Sequence, residues 1–131
     1  MKYLVDTHIF LWLLFEPEKI PKKQLKLLAD PENSIFVSSI SFWEISLKYG
    51  IGKLKLDNCL PDDLPDAAQK SNIEIAEISS KEPATFHRLP RTAHEDPFDR
   101  MIVWQAVCNK LILITRDRHL QQYKKYGLVS V

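Results

Sequence analysis

The constraint that most narrows the fold is an alternation of short apolar runs with longer segments of helical period. "YLV" (3–5), "IFV" (35–37), "IEIAEI" (73–78), "LILI" (111–114) and "LVSV" (128–131) read as strands. Continuous apolar runs of this length suit strands covered on both faces of a parallel sheet, whereas "IEIAEI" alternates and belongs nearer an edge. Between them, helices are predicted over 7–15, 21–29 with Pro21 in the first turn, 41–49, 61–71, roughly 80–89 and 97–109. Strands that alternate with helices are joined by right-handed crossovers, so the expected class is α/β. A chain of 131 residues is one domain, long enough to bury roughly two-thirds of its unfolded surface. No internal repeat, low-complexity tract or linker divides it.

Composition excludes more than it assigns. A formal net charge of +1 gives no strong global field, so a nucleic-acid partner would have to be held by local patches. Cys59 and Cys108 lack the paired short spacing of a zinc site and are expected to be free thiols in a reducing cytoplasm. The apolar run "IFLWLLF" (9–15) follows Asp6 and His8, precedes no small-residue cleavage site, and is too short to span a bilayer. The expectation is a soluble intracellular protein with no membrane association.

Acidic residues mark the strand ends. Asp6 directly follows the first strand, Glu44 is placed in the first turn of the helix after "IFVSS", and Asp117 follows "LILI". In an open parallel sheet the C-terminal strand ends share one edge, where ligand crevices form. Asp99 opens the helix feeding "LILI" and reaches that edge when the chain returns across the top. Each residue also has a local reading. Ser41 with Glu44 fits a capping box, Asp96 with Pro97 fits a helix start with Asp99 favoured by the helix dipole, Asp6 can cap the helix from Thr7, and Asp117 can serve as a turn residue or ion partner of Arg118. Capping requires one carboxylate per helix and does not require the carboxylates to meet. Several that do converge resist ionisation unless a cation shares the site. Without an accompanying cluster of Cys or His, oxygen ligands select a hard ion, Mg²⁺ or Mn²⁺. Such ions activate water and neutralise charge in phosphodiester displacement.

In this order and spacing, "LVDTHIFLWLL", "VSSISFWEISLKYGIGKLKL", "LPRTAHEDPFDRMIVWQA" and "LILITRDRHLQQY" make the chain similar, over nearly its whole length, to the PIN-domain ribonucleases, and more narrowly to the VapC-like toxins of toxin–antitoxin pairs. The resemblance implies a three-layer α/β/α domain with a mainly parallel sheet of four to five strands. It also implies an endoribonuclease using Mg²⁺ or Mn²⁺, which leaves a 5′-phosphate and a 3′-hydroxyl. Asp6 in "VDT", Glu44 in "WEI", Asp99 in "FDR" and Asp117 in "TRD" match the family's metal-binding and catalytic positions. Thr115 matches a hydroxyl that supports the last acid, and Asp96 an acidic residue of the "DPFDR" subgroup. Glu95 stands where that subgroup often has a base. A homodimer and an antitoxin whose C-terminal segment covers the site are also implied.

Other residues divide between structure and function. The helix "THIFLWLLF" is apolar nearly all round, so Phe10, Trp12, Leu13 and Phe15 are divided between core and a partner surface, and Phe42, Trp43 and Leu47 similarly. Lys48, Lys53, Lys55 and Arg100 read as solvated surface, whereas Arg116 and Arg118 flank Asp117 and are candidates for RNA phosphate contacts. None of His8, His87, His94 and His119 is needed for metal on this reading. The alternatives are a PIN-like binding module that has lost catalysis, weighed against by the presence of all four acids, and a phosphate-accepting receiver domain. A receiver would need an acidic pair that "YLVDTH" does not supply.

Overall fold

The computed structural model describes residues 1–131. Its five strands, β1 (Lys2–Val5), β2 (Ser34–Ser38), β3 (Ile73–Ala76), β4 (Ile112–Ile114) and β5 (Val129–Ser130), form one sheet in the order β3-β2-β1-β4-β5. Every neighbouring pair is parallel. The alternating strand β3 lies at an edge, as its pattern predicts. Six α-helices connect and cover the strands: α1 (Thr7–Phe15), α2 (Lys22–Ala29), α3 (Ser39–Gly50), α4 (Leu64–Lys70), α5 (Lys81–Thr85) and α6 (Pro97–Asn109).

Side-chain alternation along the strands divides the interior into two layers. Tyr3, Val5, Ile35, Val37, Ile73 and Ile114 face one way and bury Ile9 and Phe10 of α1, Ile45 of α3, and Leu64 and Ala68 of α4. Leu4 and Leu113 face the other way and meet Ile102, Val103 and Ala106 of α6 together with Leu120 and Tyr123. This is the α/β/α sandwich, and its two dry layers supply the main favourable term of folding. No helix is long and apolar enough to cross a membrane.

Several boundaries differ from the sequence expectation, each for a local reason. Helix α2 starts at Lys22 and leaves Pro21 just outside it, in extended backbone. Helix α3 starts at Ser39, because Ser38 closes β2 and its hydroxyl accepts the Ile40 N–H at 3.1 Å. Glu44 is therefore in the second turn, and the expected Ser41–Glu44 capping box does not form. The segment 61–71 divides at Leu64 into a 3-10 turn, Pro61–Asp63, and α4. The segment 80–89 divides likewise into α5 and a 3-10 turn, Phe86–Arg88. No element is expected between Asp117 and the strand at 128–131, yet Arg118–Tyr126 forms a 3-10 run that buries Leu120 and Tyr123. Gly127, at φ 101°, ends it and admits the turn into β5.

Two buried glutamines fasten the site edge of the sheet. Gln24 Nε2 donates to the Thr115 and Val131 carbonyls at 3.0 Å each, tying α2 to the end of β4. Gln105 Nε2 donates to the Ala76 carbonyl at 3.0 Å, tying α6 to the end of β3. Carbonyls at strand ends tend to run out of ladder partners, and these amides give them side-chain donors.

Candidate functional site

Asp6 has a structural and an electrostatic part at once. It is 5% exposed at the end of β1. Its Oδ1 accepts the Ile9 N–H at 2.8 Å, capping α1, while Oδ2 accepts the Thr115 hydroxyl. Burial pushes its carboxyl above the ordinary 3.8, and the bonds from Thr115 and Ile9 offset only part of that. The Thr115 oxygen in turn accepts the Asp117 N–H at 3.0 Å. One hydroxyl therefore joins the ends of β1 and β4, and Thr115 supports two acids rather than only the last.

Glu44 is buried between α1 and α3. Thr7 Oγ1 lies 2.7 Å from Glu44 Oε1 and 2.9 Å from Ser41 Oγ. With a single proton, the Thr7 hydroxyl donates to the carboxylate and accepts from Ser41. The other oxygen, Oε2, meets Lys48 Nζ at 2.5 Å. Burial works against the Lys48 charge, but the Glu44 carboxylate outweighs it, and Asp96 and Asp99 add to the hold, so the ammonium is favoured. Lys48 is thus an ion partner within the site and not the solvated lysine expected.

The opening of α6 separates two aspartates by function. Asp96 Oδ1 accepts the Phe98 and Asp99 N–H groups at 2.9 and 3.0 Å, with Pro97 in the first turn. Asp96→Ala is expected to cost about 1 kcal/mol in urea unfolding. Asp96→Ser should recover most of it, since a serine oxygen caps as well and removes a charge near Asp99. Equal losses in both variants would show that Asp96 does not act as the cap.

Asp99 is the acidic residue of the first turn. Its carboxyl is pushed up from 3.8 to about 7, first by burial and then by the charges of Asp96, Glu44, Asp6 and Asp117. The four acids singled out in the sequence, with Asp96, therefore share one electrostatic environment. Asp117 Oδ1 accepts the His119 N–H at 2.9 Å and lies 3.1 Å from its ring Nδ1, so Asp117 also caps the 3-10 run.

His94, which is not needed at a metal on the sequence reading, lies against one of the acids. Its Nε2 is 3.2 Å from Asp99 Oδ2, and its side chain is 8% exposed. One potential ligand atom from each of His94, Asp99 and Asp117 lies within 4.8 Å of the others. The ring is stacked on His119 and set edge-on to Tyr123, whose hydroxyl lies 3.1 Å from Thr92 Oγ1. The donor set is mixed nitrogen and oxygen, which Mn²⁺ accepts more readily than Mg²⁺. The only sequence signal for His94 was its place two residues before Asp96.

The basic residues separate clearly. Arg100 is structural, donating to the Leu89 and Pro90 carbonyls at 3.0 and 3.2 Å and lying 4.9 Å over the Phe86 ring. Arg116 and Arg118 are exposed on either side of Asp117. An acidic edge with a single lysine in contact fits a divalent cation: without one, Asp99 ionises only near neutrality. Cys59 and Cys108 are free thiols, as expected.

Comparison with known proteins gives the same architecture. The PIN domain family model matches residues 3–126. Ribonuclease VapC22 of Mycobacterium tuberculosis is 24% identical over 128 residues, spanning 98% of this chain and 96% of that protein. Among solved structures, VapBC2 of Rickettsia felis bound to a promoter DNA fragment superposes with a TM-score of 0.72 at 24% identity, covering 100% of this chain and 98% of the other. VapBC-1 of nontypeable Haemophilus influenzae gives 0.67 at 17%, covering 100% and 97%. These structural likenesses speak to the fold.

Proposed function

The chain belongs to the PIN-domain family, and from that premise we propose that it is a metal-dependent endoribonuclease acting as the toxin of a toxin–antitoxin pair. The observation that carries the reading is the convergence at Asp99, whose carboxyl is raised to about 7 by burial and by four other acids. Structural ion pairs lower carboxylate pKa values; a buried carboxyl pushed up by several neighbouring acids is the pattern of a cation site.

In this reading Asp6, Asp99 and Asp117, with the nearby His94, would hold Mg²⁺ or Mn²⁺, and Glu44 adds its charge beside them. The bound ion supplies an activated water and neutralises charge that develops on the phosphate. The chain's own part is to hold the carboxylates in place before substrate arrives. The Ile9 N–H and the Thr115 hydroxyl fix Asp6, the Thr115 oxygen fixes the Asp117 backbone, and His94 steadies Asp99. Arg116 and Arg118 contact phosphates flanking the cut, giving salt-dependent affinity without sequence choice. Water adds to phosphorus in line, and the P–O3′ bond breaks.

The antitoxin and a second copy are the protein partners of this reading. Exposed apolar side chains support it: Trp43 is 60% and Ile51 59% exposed, with Leu47 and Tyr49 between them. The closest test is cleavage of RNA with Mg²⁺ or Mn²⁺, comparing the native chain with Asp6→Asn. Loss of cleavage in the variant and with chelator is expected; native cleavage that survives both would remove the acids from the chemistry. A native chain that binds RNA without cutting it would favour a PIN-like binding module.

A further inference from the structure

The Glu44–Lys48 pair stands apart from the other acids. Both Glu44 oxygens are already engaged, one by the Thr7 hydroxyl and one by the Lys48 ammonium. One of those partners is itself a cation, so Glu44, unlike Asp6 with its neutral donors, already holds a positive charge. Its partner is placed differently, because the Lys48 side chain is 33% exposed while that of Glu44 is 3% exposed. Lys48 therefore links the buried acid to solvent, on the side where Asp96 and Asp99 act on its charge.

An RNA phosphate entering this edge is an anion approaching several carboxylates. Of the other cations, Arg100 is committed to the Leu89 and Pro90 carbonyls, and on this reading Arg116 and Arg118 take the flanking phosphates. On the ribonuclease reading above, we propose that Lys48 is a substrate-contacting residue whose ammonium, held by Glu44, binds a non-bridging oxygen of the scissile phosphate. Glu44 is then a positioning residue for Lys48 and not a direct ion ligand. A compact ammonium suits a single phosphate oxygen, and its tether to a buried helix residue removes the search for orientation.

The experiment compares native protein with Lys48→Met, Lys48→Arg and Glu44→Gln, measuring single-turnover RNA cleavage and Mn²⁺ affinity by calorimetry. Lys48→Met should lower the saturated rate by about 100-fold, the scale of losing one preorganised donor. Its Mn²⁺ affinity should stay the same or tighten, because a competing cation is gone. Lys48→Arg keeps the charge and should recover most of the rate. Glu44→Gln should lower the rate without weakening Mn²⁺. In an Asp99→Asn background, adding Lys48→Met should reduce the salt slope of RNA binding by about 0.7, one phosphate contact on a single strand.

Equal rates for native and Lys48→Met, an unchanged salt slope, or a loss that excess Mn²⁺ restores would overturn the phosphate contact. Weakened Mn²⁺ binding in Glu44→Gln would overturn the positioning assignment. A native chain that cuts no RNA would overturn the ribonuclease reading instead, and the salt slope would still decide the Lys48 contact.

Discussion

Asp99→Asn is expected to reduce RNA cleavage by on the order of 10³-fold, the upper range for removing one electrostatic stabiliser, while making the metal-free protein more stable. The two effects have one cause. In the folded chain the Asp99 carboxyl titrates at about 7 instead of 3.8, because burial and the neighbouring acids oppose its charge. A folded-state pKa raised in this way contributes stability that is complete below about 3.8 and is lost as pH rises through about 7. That displacement corresponds to about 4 kcal/mol, which partial exposure reduces to about 2 kcal/mol. Asparagine cannot ionise and avoids the loss.

Melting curves in chelator at about pH 5 and about pH 8 separate the cases. The native chain should lose stability across that interval, and Asp99→Asn should lose less. Some slope will remain, because the buried Asp6 is displaced in the same direction. Parallel pH profiles for the two proteins would mean that the acids do not act on Asp99, and the proposed cation site would fall with them.

Mg²⁺ or Mn²⁺ should produce the second large effect, a stabilisation that grows with pH. A ligand that binds only the folded state at 100 times its Kd adds about 2.7 kcal/mol. The ligands must be deprotonated to bind, so the increase should be larger at about pH 8 than at about pH 5. Ion binding thereby opposes the destabilisation of the metal-free chain over the same interval. If His94 offers its ring nitrogen, Mn²⁺ should raise the melting temperature more than Mg²⁺ at equal concentration, and His94→Ala should narrow that difference. Identical melting with millimolar metal and with chelator would count against the site as a whole.

The stability and activity predictions share a physical origin. Acids held close together before the ion arrives cost folding free energy, and the same closeness provides the binding site. Capping reduces that cost without abolishing the charge. Asp6 caps α1, Asp96 caps α6 and Asp117 caps the run Arg118–Tyr126, each with a carboxylate oxygen on a backbone N–H. The local reading and the functional reading of Asp6 are therefore both true, one for each oxygen. For Glu44 the local reading fails, because helix α3 begins at Ser39 and leaves the expected box without a terminus.

Short-range pattern determined much of this protein from the sequence. Apolar runs and helical periods placed all five strands and the helices that cross between them, because burial on two faces or one leaves a period in the chain. Caps at Asp6 and Asp96 were legible for a related reason, since a carboxylate and the N–H it accepts lie two or three residues apart. Helix starts near several candidate caps were not, which is why α3 began earlier than expected. Only the tertiary structure decided which groups meet across long separations. Thr115 reaches Asp6 over 109 residues, and Thr7 reaches Glu44 over 37. Lys48 lies one turn from Glu44, but its value depends on the acids that α6 brings opposite. His94 reaches Asp99 because Tyr123 and His119, from the unexpected 3-10 run, pack against its ring. Such meetings follow from closing the sheet and docking its layers, and no local periodicity records them.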